Sequence, residues 1–354
     1  MTTSSTSVYR RVIQPRNAEA ITPLLACRWR NGAVAAALFQ ICAVGAYAQT
    51  AAWKPEKNIE IVVGLTAGSS QDRSARAIQS IAQAKALLNV TSNVVNRVGG
   101  GGNVAWTFLA QHAGDAHWFQ IASPTILTNY IIGTAPFTYT DYTPLALLGS
   151  QYIAVAVRTE SPLKTARDLV ERLRTDPLAV SFATNSLGSY LHIVCAQLAR
   201  AAGTDPRKMK LAIFQGAELM TAGLGGHVDV ITTVASNLLP HVQSGKLRLI
   251  GISSGRRLGG VLAQVPTLKE QGVDIVLANW QGAIGPPKLS PAQVAYWDSV
   301  FSRLVKTDEW RADQEQNFWE SDYLRAAEYA RFLKTDYDKA KAIFIELGLA
   351  RKDI

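Results

Sequence analysis

Apolar and polar positions along the chain fall into two repeating kinds of segment. Residues 59–63 form an apolar, β-branched run, the pattern of a strand buried on both faces. A Gly/Ser turn at 67–70 follows, and then a helix rich in Ala, Arg and Gln. Val94-Val95 ends a second short strand that runs into Gly99-Gly100-Gly101-Gly102-Asn103; a helix over 104–111 then leads to a strand at 118–122. A second set of units starts with a strand at 152–157. Thr165 and Asp168 make a capping-box-like start to a helix carrying Leu169, Val170 and Leu173. A strand at 180–183 meets a polar turn, 184–189, and a helix through Arg200. Next come a strand at 211–214, a helix ending at Gly225-Gly226, and strands at 228–231 and 247–252. Ser290-Pro291 opens an amphipathic helix with Val294, Trp297, Phe301 and Leu304 at helical spacing, and 326–347 reads as a long final helix. Alternating strands and helices predict α/β layers around largely parallel sheets. Two sets of similar size predict two lobes, the second inserted in the first.

Length and composition agree with that picture. A chain of 354 residues, 48% hydrophobic and 18% charged, has material for about two domains and an ample core. The formal charge of +9 raises the question of nucleic acid. Its cations are scattered, the tightest groups being Arg256-Arg257 and Arg207-Lys208 with Lys210. A phosphate-tracking stripe needs clustered cations interleaved with stacking aromatics, so the charge reads as a solvated surface and nucleic acid is not an expected partner.

The N-terminal region changes the picture more. Residues 32–46 are a short apolar run preceded by Arg28 and Arg30 and followed by Ala46-Tyr47-Ala48. About 15 apolar residues suit a signal-peptide core better than a membrane span. Residues 1–48 are therefore expected to be a signal peptide with a long n-region, cleaved near Ala48/Gln49 for export to the periplasm. Arg10-Arg11 lies too far from the apolar run for a twin-arginine signal, and Phe39-Gln40-Ile41 before Cys42 does not suit a lipid anchor. Cleavage removes five arginines and Glu19, leaving a charge of +5, and takes Cys27 and Cys42 with it. Cys195 then stands alone, which excludes an intramolecular disulfide.

Three Gly/Ser/Asn-rich turns, 64–72, 99–103 and 184–189, each sit between an expected strand and an expected helix. In parallel α/β folds ligands bind where such loops converge at the carboxyl ends of strands. A helix N-terminus presents free N–H groups and partial positive charge, which suits a carboxylate or phosphate. The hydroxyls of Ser69, Ser70, Thr184 and Ser189 add donors. One such turn alone does no more than cap its helix; three together point to an anion site built without arginine. None carries G-x-x-x-x-G-K-[ST], and 99–103 lacks the acid that reads a ribose, so no nucleotide or other cofactor is expected.

Gly251-Ile252-Ser253-Ser254-Gly255 matches the G-x-S-x-G of hydrolases. That fold needs a histidine after its serine, and the last histidine here is His241, so Ser253 reads as a loop or hinge residue and no catalytic residue is expected. The five histidines include no H-E-x-x-H and no zinc spacing with cysteine, and no metal is expected. His192, beside the 184–189 turn, reads equally as a ligand-facing donor or a capping group. Cys195, one turn later, reads as core.

The order and spacing of several fragments identify a resemblance. Ile61-Val62-Val63 with Asp72-Arg73, Asn96-Arg97 with 99–103, Gly188-Ser189 with His192, Gly225-Gly226-His227-Val228-Asp229, Leu239-Pro240-His241-Val242, Ser244-Gly245-Lys246-Leu247-Arg248, Val265-Pro266-Thr267 and Gln271-Gly272 carry it. Residues 53–350 resemble the Bug-type periplasmic receptors of tripartite tricarboxylate transporters. The resemblance implies a two-lobed periplasmic-binding-protein, or Venus-flytrap, fold with crossovers near 151 and 254: one lobe from 49–151 and 254–354, the other from 152–253. It implies a monomeric receptor that holds a small organic acid through amides, hydroxyls and waters, and delivers it to membrane subunits of such a transporter or reports it to a signalling partner. The implied contacts are Thr66, Ala67, Gly68, Ser69, Ser70, Asp72, Asn103, Ser123, Thr184, Asn185, Ser186, Ser189 and His192. Thr233 stands at a position often acidic in the family, and 65–70 replaces its Pro/Gly stretch. Those departures alter the polarity of the site, so the ligand does not transfer from a relative.

Overall fold

The computed structural model describes residues 52–214 and 216–354; the expected signal peptide at 1–48 lies outside them. The chain begins with three strand–helix units: β1 (Ile59–Val63), α1 (Ser70–Ala84), β2 (Ser92–Asn96), α2 (Asn103–Ala110), β3 (Trp118–Ala122) and α3 (Thr125–Ile131). A 16-residue strand, β4 (Thr143–Arg158), leads into α4 (Ala166–Thr175), β5 (Ser181–Thr184), α5 (Tyr190–Ala201), β6 (Lys210–Ile213), α6 (Ala217–Leu224), β7 (Val230–Val234), α7 (Ala235–Gln243) and β8 (Leu247–Ile252). The last part is β9 (Ala278–Gly285), α8 (Pro291–Leu304), α9 (Asp308–Gln316), β10 (Leu324–Arg325) and α10 (Ala326–Glu346).

Helix starts follow their capping residues. The Ser69 and Ser189 hydroxyls accept the third N–H of α1 and α5, and Thr165/Asp168 and Ser290/Gln293 close full capping boxes on α4 and α8. Apolar faces thus oriented pack against the sheets. Ile61, Phe119, Trp297 and Phe301 meet in one core and Phe182, Ile193 and Val194 in another. Full burial of Phe119 or Phe301 contributes roughly 1.5–3 kcal/mol each.

Strand order is β2-β1-β3-β9-β4-β7-β5-β6. Pairing is parallel in β2-β1-β3 and β6-β5-β7, as expected of strand–helix–strand units, and antiparallel wherever β4, β8, β9 or β10 takes part. The central strand β4 belongs to both halves of this curled sheet. Thr143 to Tyr152 pair with β9, and Ile153 to Val157 turn to β7. Sequence reading starts this strand at 152 because Pro144, Gly149, Ser150 and Gln151 interrupt the apolar run ahead of it. The ladder to β9 indeed slips beside Pro144 and beside Gly149. β9 itself was not expected, since Asn279, Gln281, Gly282 and Gly285 break its pattern. β7 begins two residues later than expected. Asp229 is held at its entrance by accepting the N–H and hydroxyl of Ser181 at 2.8 and 2.6 Å.

Where β4 changes partners, Ser253 locks the two crossings together. Its hydroxyl accepts the Ile153 N–H at 3.0 Å and donates to the Leu277 carbonyl at 2.6 Å, while its own N–H reaches the Ile153 carbonyl at 2.8 Å. The residue is fully buried. A serine so engaged has no free hydroxyl for nucleophilic chemistry, whatever its G-x-S-x-G setting.

Candidate functional site

The carboxyl ends of β1 and β5 each deliver a loop and then a helix, α1 and α5, whose N-termini approach one cleft from the two halves of the sheet. The first N–H groups of a helix lack intrahelical partners. Ser70, Gln71, Tyr190 and Leu191, which carry those groups here, line a recess of about 30 Å³ together with Gly64, Gly101, Gln120, Ser123 and Ser186. At one probe sphere per water, that volume holds about two waters. The recess adjoins a larger cavity of about 340 Å³ between the 65–70 loop and Asn185, Leu219, Met220, Thr233 and Asn237. Leu65, Ser70, Asn185, Leu191 and Asn279 border both spaces.

Three buried polar atoms without partners, Thr66 Oγ1, Asn185 Oδ1 and Gln120 Oε1, belong to residues lining these spaces; Thr184 Oγ1, next to Asn185, and Gln281 Oε1, on a side chain bonded to Ser70, are two more just outside the linings. In folded proteins generally, buried polar atoms are overwhelmingly hydrogen-bonded, and each one left unsatisfied costs about 1–3 kcal/mol. Several around one cleft mark a surface shaped for something polar. The two sides already touch. Arg73 Nη2 donates to Asn237 Oδ1 at 2.7 Å, both side chains lining the large cavity. A Cβ on Gly101, whose φ is +64°, would come within 2.9 Å of Ser186 Oγ on the opposite loop.

Of the residues singled out from the sequence, Thr66, Ala67, Gly68, Ser69, Ser70, Asn185 and Thr233 lie on the larger cavity, and Ser70, Ser123, Asn185, Ser186 and Ser189 on the recess. Thr184 is fully buried at the end of β5, outside both linings. Asp72, Asn103 and His192 also stand behind the surface. The Asp72 carboxylate accepts from the Gly68 N–H, Asn96 and Arg76, so it braces the first loop from beneath. Burial raises its pKa, and the hydrogen bonds from Arg76, Gly68 and Asn96 outweigh that and lower it. Asn103 donates to the Thr134 carbonyl and accepts from Asn129, bracing the glycine run. His192 accepts the Gly188 N–H on Nδ1 at 3.1 Å, and burial lowers its pKa to about 4. At neutral pH it is an uncharged brace for the 184–189 loop. Cys195 is core beside Thr232 Oγ1, with its thiol pushed up to about 12 by burial.

Sequence reading missed Gln120, Gln281, Asn279 and Arg73. Gln120 had a signal, a polar residue inside an expected strand otherwise built for burial, whereas Asn279 and Gln281 lie in the strand whose pattern they break. Arg73 had none, because helix position alone does not say that its side chain reaches the larger cavity. Among the described residues no group of three or more His, Cys, Asp or Glu could hold a metal ion, and no helix is long and apolar enough to cross a membrane.

A cleft between two halves of a curled sheet, floored by helix N-termini and crossed by a shared central strand, defines a two-lobed solute-binding protein of the periplasmic-binding-protein class. Residues 75–349 match the model of the tripartite tricarboxylate transporter family receptor, and the chain belongs to that family. A Cupriavidus necator protein, named as the UPF0065 protein in the gbd 5′ region, is 27% identical over 90% of this chain and 96% of its own. Among solved structures, the periplasmic binding protein BugD superposes with a TM-score of 0.76 at 20% identity, covering 84% of this chain and all of its own. An R. palustris protein solved with adipate gives 0.76 at 20% identity, covering 84% and 99%. Family and fold are those of receptors, not enzymes.

Proposed function

We propose that this chain is a periplasmic receptor that captures a small organic acid between its lobes and delivers it to the membrane subunits of a tripartite tricarboxylate-type transporter. The lobes are 49–151 with 254–354, and 152–253, hinged at the Ser253 crossing; export removes residues 1–48, and the receptor works as a monomer. The observation that carries this reading is the convergence of two helix N-termini and a set of partnerless polar atoms on one cleft. A carboxylate head fits where recess and cavity join, at Ser70, Asn185 and Leu191. There the free amides of α1 and α5 donate to it, each hydrogen bond to the charge being worth roughly 1.5–3 kcal/mol. The amide oxygens of Gln120 and Asn185 are acceptors, and water donates to them while relaying to the carboxylate. The adipate carried by the R. palustris relative supports an acid of this size.

The reading predicts closure on ligand, which membrane subunits would recognise. The test is thermal shift of the protein from Gln49 onward, stripped of co-purified ligand, against a panel of organic acids. A ligand at about 100 times its Kd adds roughly 2.7 kcal/mol, an easily read rise in Tm. A panel in which no carboxylate moves the melt would overturn the reading.

A further inference from the structure

We infer that Arg73 is a second, distal anion-binding group, and that the receptor selects dicarboxylates whose two acid groups are separated by an apolar spacer. The inference rests on the carboxylate-receptor reading above and adds the chemistry of the other end of the ligand. Three observations carry it. The recess of about 30 Å³ is too small for more than water or a head group, so the body of a ligand must lie in the adjoining space of about 340 Å³. Leu65, Leu191, Leu219, Met220, Val234 and Pro240 give that space an apolar side that suits methylenes, while its hydroxyls and amides, such as Thr66, Ser236 and Asn279, make up the rest of the lining. Arg73 lines the same space and bridges it to Asn237. Its guanidinium hydrogen-bonds only neutral groups, donating from Nη1 to the Gly68 carbonyl at 2.8 Å and from Nη2 to Asn237 Oδ1 at 2.7 Å, while the Asp313 and Asp72 carboxylates act on it only through space.

Among the described residues Arg73 forms no ion pair, whereas Arg76, one turn along the same helix, is committed to Asp72. A guanidinium presents five donors in a fixed fork, and two neutral partners leave room for a carboxylate. Asn237 is itself fixed by donating to Thr233 Oγ1 at 3.0 Å, so the fork is held by both sides of the cleft. A distal carboxylate arriving at Arg73 is therefore recognised only when the cleft is closed. This gives the departure at Thr233 a role: an acid there would compete for the same guanidinium neighbourhood.

The experiment measures adipate and hexanoate binding by calorimetry to the wild-type protein and to Arg73→Gln, which keeps an amide donor for Asn237 but loses the charge. Adipate and hexanoate share a six-carbon chain and differ in the distal group. We expect wild type to prefer adipate by roughly ten- to a hundredfold, the value of hydrogen bonds to a charged group. Arg73→Gln should lose that preference, its affinity for adipate falling further than its affinity for hexanoate until the two are alike. Equal loss for both acids would make Arg73 a closing clasp only, and equal wild-type affinity for both would overturn the distal site without needing the variant to fold. If neither acid nor any other carboxylate binds wild type, the receptor reading fails and takes this inference with it. Binding of short hydroxy acids in preference to adipate would sink the inference and leave the receptor reading standing.

Discussion

His192 offers a sharp test of how the 184–189 loop is held. Its ring is 3% exposed and its Nδ1 takes the Gly188 N–H, an arrangement that only the unprotonated nitrogen supports. Burial lowers its pKa from 6.5 to about 4. The unfolded chain therefore takes the proton first as pH falls. The contribution to stability is whole above about pH 6.5 and is lost progressively down to about pH 4. Each pH unit in that window costs about 1.4 kcal/mol, which makes about 2 kcal/mol by pH 5 and about 3 kcal/mol at the limit. Burial raises the pKa of Asp336, which works in the opposite sense. The assay must be differential. His192→Asn places an amide oxygen where Nδ1 accepts, without a titrating group. Urea midpoints for both proteins from pH 7.5 to 4.5 should run together at the alkaline end apart from a constant packing loss. They should diverge below pH 6.5, with the wild type falling faster by about 2 kcal/mol at pH 5. Parallel profiles would refute the account. Ligand affinity should fall over the same window in wild type and less in the variant, because the loop that faces the recess is what protonation releases.

Ser253→Ala should lower stability by about 1–3 kcal/mol, read from Tm, because the Ile153 N–H and Leu277 carbonyl lose a buried partner; an unchanged melt would contradict the hinge-lock assignment. Gly101→Ala and Gly203→Ala both place a side chain at positive φ, +64° and +79°, and each should cost about 1–2 kcal/mol of stability. Only the first crowds Ser186 across the cleft, so only it should weaken ligand binding, by about tenfold; equal affinities in a titration would count against loop contact on closure. Cys195, buried and with its pKa near 12, should resist thiol reagents in the native protein and react once urea unfolds it, and rapid native labelling would place it outside the core.

The strand–helix units of the chain were legible because their signals are local. The 59–63 and 118–122 runs, Ser69 and Ser189 at their helix starts and the Thr165/Asp168 box all reappear as elements. What failed to show was non-local. β9 carries amides and glycines because its polar side chains face the cleft and its glycines admit neighbours. A Cβ on Gly282 would strike the Tyr329 hydroxyl at 2.4 Å, a contact made by a helix more than forty residues further on. The site divided in the same way. Hydroxyl and glycine loops at strand ends could be named from spacing, but Asp72, Asn103 and His192 look identical in sequence whether they face a ligand or brace the loop that does. Only packing separates these roles, and only packing brings Arg73 to the larger cavity.

The place of β9 has a consequence for how the chain is made. β3 ends at Ala122 and β4 starts at Thr143, yet neither pairs with the other; β9, which begins at Ala278, lies between them. During synthesis both strands wait, with their ladder edges open, for a segment that emerges more than a hundred residues later. The inserted units from β5 to β8 have their own partners and can close early, while the outer half stays unsealed until nearly the whole chain is present. Such late, long-range pairing is slow, and open edges invite pairing with other chains. The same wiring means that truncation before β9 removes more than one strand: it leaves two raw edges at the centre of the sheet.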